Sequence, residues 1–224
     1  MRSSPKSSPG RRRTKTISAA KAFQAIAAAE TALAINPNRP GTLAWLGRLY
    51  AKAGHPERTA ALIEQATRLD PAGSKSGYYL YILGFAQLQL GQNDEAIDTL
   101  QRSVLLRPAQ VNPWGGLTAA FISAGREVEA RRALVKWREV AASQSSYKVD
   151  YPPDTDLLYV RVQLALLRLG RWPYSMELSA ARPREFARAL LKFQADENLP
   201  QTGQPDEVTL ARLGIAPGAS ASSN

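Results

Sequence analysis

The sequence predicts an all-α protein in which antiparallel helical hairpins stack as a solenoid and a small three-helix unit follows. Three observations predict it. Hydrophobic blocks align with one another when the chain is slid by about 34 residues, a period typical of helical hairpin repeats. Within each block the apolar residues recur at three- and four-residue spacing, the signature of a helix with one buried face. Glycine and proline stand at the block edges, where they end helices.

The chain starts with a basic stretch. Formal charge is +10, and Arg2, Lys6, Arg11, Arg12, Arg13 and Lys15 supply six of those units within residues 1–17, which hold no acid. That stretch is rich in Ser, Pro and Gly and cannot bury apolar surface, so a disordered tail is expected over 1–17. A flexible basic arm attracts phosphates or anionic lipids with strong salt dependence, and deleting it should abolish retention on anionic polymers. The excess is not spread over a folded face, so no specific nucleic-acid partner is expected. A twin-arginine export signal is disfavoured, because Lys21, Gln24 and Glu30 interrupt the apolar region that should follow Arg11–Arg13.

Residues 18–142 carry the repeat. The first block is half present: Ala25, Ala29, Ala32 and Pro37 match second-helix positions, so the helix over 19–36 should pack on the next hairpin. In the second block Leu43, Leu46, Gly47 and Tyr50 form one stripe, Gly54 breaks it, and Thr59, Ile63 and Ala66 form another that ends at Pro71. The third block repeats this as Leu80, Leu83, Gly84, Gln87, Gly91, Ala96, Leu100, Ser103 and Pro108. The fourth reads Trp114, Leu117, Thr118, Phe121, Gly125, Ala130, Leu134 and Trp137. Each hairpin needs large apolar residues on both helices, a small residue where the backbones approach, and a breaker between them. Trp137 stands where a small residue is usual and Ala142 where a proline is usual, so the regular stack is expected to stop at Trp137. The blocks resemble the tetratricopeptide family over roughly residues 19–142.

Residues 143–156 mix Ser, Pro and Asp and read as a linker. Beyond it, over 157–216, three short helices are expected. The first holds Leu157, Val160, Gln163, Leu164 and Leu167 and is closed by Gly170. The second starts near Pro183 with Phe186, Leu190, Leu191 and Phe193, and the third holds Val208, Leu210 and Leu213. Residues 217–224 read as a second disordered tail. The motifs Gln163, Leu169–Gly170, Phe193–Gln194, Leu199–Gly203 and Asp206–Leu210 resemble the peptidoglycan-binding-like domain. That resemblance implies a module able to hold cell-wall glycan, in a bacterium. Between Gly170 and Pro183 the family's Asp-Gly turn is replaced by residues such as Trp172 and Tyr174.

No enzyme activity, cofactor or metal is expected. The chain has no cysteine and one histidine, His55, which falls in an inter-helix turn and is poorly placed for a triad. Asp154, Asp156 and Glu207 are explained by a linker and a helix start, and Asp206 by a helix N-cap. The glycines mark repeat corners and not a phosphate-binding loop. No apolar run approaches the roughly 20 residues needed to cross a bilayer.

What remains is binding. The tetratricopeptide resemblance implies a concave face built from first helices, and residues there that point off the stripe are candidates to hold a protein or peptide segment. They are Arg48 and Lys52, then Tyr78, Tyr81, Phe85 and Gln89, then Asn112 and Ser123. Tyr81, Phe85 and Leu88 would form an apolar centre with Arg48 and Lys52 at one edge. The expected function is a non-catalytic scaffold whose stack binds a protein segment and whose C-terminal module may hold peptidoglycan. The alternative is the regulatory C-terminal part of a larger signalling enzyme, since the stack looks like those attached to some proteobacterial class III adenylate cyclases. The location is cytoplasmic as the sequence stands, or the periplasm or cell envelope if an export signal lies upstream.

Overall fold

A computed structural model describes residues 10–144, 156–172 and 183–216, with side chains over 23–51, 53–144, 157–172 and 186–216. The described residues are all-α, with helices and no strand. After α1 (Gly10–Ile35), three hairpins follow: α2 (Pro40–Ala53) with α3 (Pro56–Leu69), α4 (Ser76–Gln89) with α5 (Asn93–Leu106), and α6 (Val111–Ser123) with α7 (Glu127–Ala142). Each helix packs on the next in the chain, and the first helices also touch along a row, α2 on α4 and α4 on α6.

Local chemistry sets the hairpins. Pro40 and Pro56 open α2 and α3 at a position where a missing N–H costs nothing. Gly54, Gly91 and Gly125 occupy the same corner in successive hairpins with φ of +81, +76 and +71, a left-handed conformation that lets the chain double back. At the first corner the N–H groups of Gly54 and His55 reach the carbonyls of Ala51 and Tyr50 at 3.2 and 3.0 Å. Second helices are stitched to first helices by hydroxyls: Thr59 donates to the Gly47 carbonyl at 3.0 Å and Ser103 to the Gly77 carbonyl at 2.7 Å.

The centre of the stack is a wedge. Leu100 of α5 is fully buried between two first helices. A β-carbon built on Gly84 of α4 would lie 2.6 Å from Leu100 Cγ, and one on Gly116 of α6 would lie 3.1 Å from its Cδ2. The small residues expected at Gly47, Gly84, Ala96 and Ala130 are all buried, as close backbone approach requires.

At the N-terminal end, α1 packs on α2 as the half repeat predicts, through a cluster of Ala29, Leu46 and Tyr50 separate from the main core. Tyr50 donates to Glu30 Oε1 at 2.5 Å and accepts from Arg58 at 3.0 Å, so one phenol ties α1, α2 and α3 together. The Glu30 carboxylate, burial and the charge beside it push the Tyr50 phenol pKa up. Helix α1 begins at Gly10, within the stretch expected as a tail. Arg, Lys and Ala are good helix formers, and neither Gly nor Pro interrupts residues 11–36. Residues 1–9 and 217–224 lie outside the described residues, as do 145–155 of the expected linker.

Beyond the expected stop at Trp137, which is buried, α8 (Asp156–Arg168) touches both α6 and α7. The row of first helices therefore continues α2, α4, α6, α8. Arg161 pairs with Glu127 at 2.8 Å and Arg168 donates to Ser123 Oγ at 3.0 Å, fastening α8 to α7 and to α6. One apolar core runs from Leu43 to Leu210 across the expected boundary.

The C-terminal helices α9 (Pro183–Asp196) and α10 (Glu207–Arg212) stand where the sequence puts them. A buried amide joins them. Gln194 donates to Thr202 Oγ1 at 2.9 Å, the Gln204 carbonyl at 3.1 Å and Thr209 Oγ1 at 2.9 Å, and accepts from the Gly203 N–H at 2.8 Å. Asp206 is the N-cap of α10, accepting from the Thr209 N–H at 2.9 Å and the Thr202 hydroxyl at 2.6 Å. Hydrogen bonds from Thr202 and then Thr209 hold its carboxyl below the usual carboxylate range.

Candidate functional site

On α2, Leu43, Ala44, Leu46, Gly47, Tyr50 and Ala51 are buried. At 100° per residue the opposite arc holds Trp45, Arg48, Leu49 and Lys52. Trp45 is 47% exposed, and the Arg48 guanidinium lies 4.6 Å from the centre of its ring. Arg48 Nε is buried with no acceptor. A guanidinium stacked on an exposed indole, with Leu49 alongside, is chemistry that interfaces use as an anchor. The side chain of Lys52 is outside the described part, while its backbone sits one turn beyond Arg48.

The expected apolar centre is not on the surface. Tyr81 and Phe85 are 4% and 1% exposed and Leu88 is fully buried. The rings do form a row, Tyr78 to Tyr81 and Tyr81 to Phe85 each at 6.4 Å between centroids, but the row belongs to the core. The reason is the make-up of α4: Tyr79 through Ala86 is one buried run, and a helix apolar all round is covered all round. Neighbours α2, α3, α5 and α6 all touch it.

The polar candidates lie apart from that centre. Tyr78, Gln89 and Asn112 are half-buried, and Gln89 Oε1 has no donor. Ser123 is engaged internally: its hydroxyl donates to the Ala119 carbonyl at 2.9 Å and accepts from Arg168, and its own carbonyl accepts from Asn93 Nδ2 at 3.3 Å. The structure thus brings Arg48 together with Trp45, a residue the sequence reading did not single out, and separates both from Asn112 and Ser123. Helical register was the available signal, since it puts residue 45 opposite Leu43 and Gly47. Among the described residues no group of three or more His, Asp or Glu could hold a metal ion, and no helix is long and apolar enough to cross a membrane.

Comparison with known proteins bears on the stack. The family described as anaphase-promoting complex, cyclosome, subunit 3 matches residues 21–103. A crystal structure of MamA overlays on 87% of this chain and 99% of its own at a TM-score of 0.52 and 22% identity. The chain has a tetratricopeptide-type repeat fold. A second MamA structure overlays on 62% of this chain and 93% of its own at a TM-score of 0.30 and 19% identity. A structure of Naa15/Naa10 bound to HypK-THB overlays on 88% of this chain and 32% of its own, with a TM-score of 0.37 and 19% identity. No curated protein sequence matches the chain. The matched residues take in part of α1, all of α2 to α4 and most of α5.

Proposed function

We propose that the protein is a non-catalytic interaction module whose stack holds a segment of another protein against the open arc of α2. The observation that carries this reading is the exposed Trp45 with Arg48 stacked on it, on the first helix of the first full hairpin. Repeat stacks of this kind offer a preformed, rigid surface, so a partner segment is the only element that must lose freedom on binding. Arg48 and Lys52 remain in the site; Tyr81 and Phe85 belong to the core of the stack. A photo-crosslinking residue placed at position 45, and separately at Val135 on the exposed side of α7, tests this in a lysate of the native host. Protein adducts from position 45 and none from 135 are expected; adducts from 135 alone, or from neither, refute it.

Peptidoglycan binding by the C-terminal unit is a second reading, supported by motif spacing. Gln194, Thr202, Asp206 and Thr209, which carry that spacing, hydrogen-bond to one another, so the motif accounts for the local fold without a glycan. Salt-resistant retention of the whole chain on insoluble sacculi would establish wall binding.

A further inference from the structure

Helix α1 buries less than the second helices that follow it. Of its described side chains, residues 23–35, Ala29 alone is buried, while Ala25, Ile26, Ala32 and Leu33 are half-buried and the rest are exposed. By contrast α3 buries Thr59, Ile63 and Ala66, and α5 buries Ala96, Ile97, Thr99, Leu100, Ser103 and Val104. The register accounts for the difference. Where α3 has Ile63 and α5 has Leu100, each fully buried and pressed on the glycine of its own first helix, α1 has Ala29. Ala29 joins Leu46 and Tyr50 in a cluster apart from the main core, edged by half-buried Ile26, Leu33, Leu49 and Leu62. Among the described residues, the polar tie between α1 and the stack is Tyr50, whose hydroxyl donates to Glu30 Oε1 at 2.5 Å and accepts from Arg58 at 3.0 Å. Glu30 is exposed, so water competes for its carboxylate.

We propose that α1 is a strap, able to leave the first hairpin while α2 to α7 stay folded, with the Tyr50 hydroxyl as its catch. In a repeat stack each element is stabilised by its neighbours only, so a helix at the end of the described stack that buries little opens at a lower free energy than global unfolding. The catch is a hydrogen bond to a carboxylate, backed by a guanidinium, and it closes only when α1, α2 and α3 are together. Opening uncovers Leu46 and Tyr50 and frees the covered faces of Leu49 and Leu62, in the same hairpin as exposed Trp45. The docked strap therefore limits how much of α2 a partner reaches, and it stands independently of the function proposed above.

The chain has no cysteine, so one introduced thiol reports opening without background. In the full chain, Ala29→Cys and, in α3, Ala66→Cys are each reacted with N-ethylmaleimide across urea concentrations below the unfolding transition and followed by mass spectrometry. The thiol at position 29 should react about tenfold faster or more, with little dependence on urea. The thiol at position 66, where Ala66 is fully buried, should react only as the whole chain unfolds, with a steep dependence on urea. Adding Tyr50→Phe keeps the ring and its packing against Arg58 and His55 and removes the catch; reaction at position 29 should then rise roughly tenfold. Hydrogen exchange of the unsubstituted chain makes the same comparison without a thiol: amides of residues 26–35 should exchange before those of α5, and faster still in Tyr50→Phe. Equal rates and equal urea slopes at positions 29 and 66, or α1 amides protected for as long as those of α5, overturn the strap. Rates unmoved by Tyr50→Phe overturn its catch.

Discussion

Replacing Gly84 by alanine should destabilise the protein, although alanine is the better helix former. Alanine in a helix interior gains about 1 kcal/mol over glycine. Against this, the new methyl would sit 2.6 Å from Leu100 Cγ, and Cγ is a branch point and not a flexible tip. On its other side Leu100 has little room, because its Cδ2 lies 3.1 Å from where a β-carbon on Gly116 would stand. Overpacking costs about 1–3 kcal/mol, and a methyl pressed on a branch point falls in the upper part of that range, about 2–3 kcal/mol, so the net loss should be about 1–2 kcal/mol, or roughly 2–8 °C in Tm for a chain of this size. The sharper outcome is a change of sign. Leu100→Ala alone should cost about 2–5 kcal/mol, but in that background Gly84→Ala fills part of the space and should stabilise. Urea unfolding followed by circular dichroism on the four members of the cycle measures both effects. A Gly84→Ala variant that is neutral or stabilising in the wild-type background would refute the wedge.

Two further outcomes follow from the C-terminal half. Trp137→Ala should cost about 3–5 kcal/mol and, because the residue belongs to the same apolar core as Leu157, Val160 and Leu164 of α8, should raise amide exchange in α8 together with α7; exchange confined to α7 would show that α8 does not continue the row. Asp206 has a depressed pKa, so its contribution is present above the ordinary carboxylate value near pH 4 and is lost as pH falls through the lower folded value. Asp206→Asn should keep much of the cap and remove that acid dependence, read as protection of residues 197–206 from protease between pH 5 and acid; an unaltered pH profile would count against the Thr202–Asp206–Thr209 network.

Much of the stack was legible because hairpin geometry leaves a periodic trace. The corner glycines 54, 91 and 125 and the buried small residues 47, 84, 96 and 130 repeat at a near-constant offset. The Asp206 cap and the start of α9 at Pro183 were equally local. Surface was harder to read than core. Tyr81 and Phe85 occupy positions that are open in a helix with few neighbours, but α4 has neighbours on every side, and that depends on contacts from residues distant in the chain. Trp45 lies within an apolar run, Leu43 to Leu46, where composition cannot separate the exposed member from the buried ones. The position of α8 was hidden for a similar reason: Trp137 breaks the small-residue pattern, and its place in the common core depends on helices distant in the chain. Helix α1 extends into the basic stretch because Arg and Lys favour helix as well as solvent.

The all-round burial of α4 has a consequence for synthesis. Its apolar faces are covered on one side by α5 and on another by α6, and the Leu100 wedge closes only when Gly84 and Gly116 are both in place. Phe121 of α6 follows Leu88 of α4 by 33 residues. At about 5–20 residues per second, a nascent chain therefore displays an uncovered α4 for roughly 2–7 s. Within that interval the uncovered apolar faces of α4 are a place for a chaperone to bind.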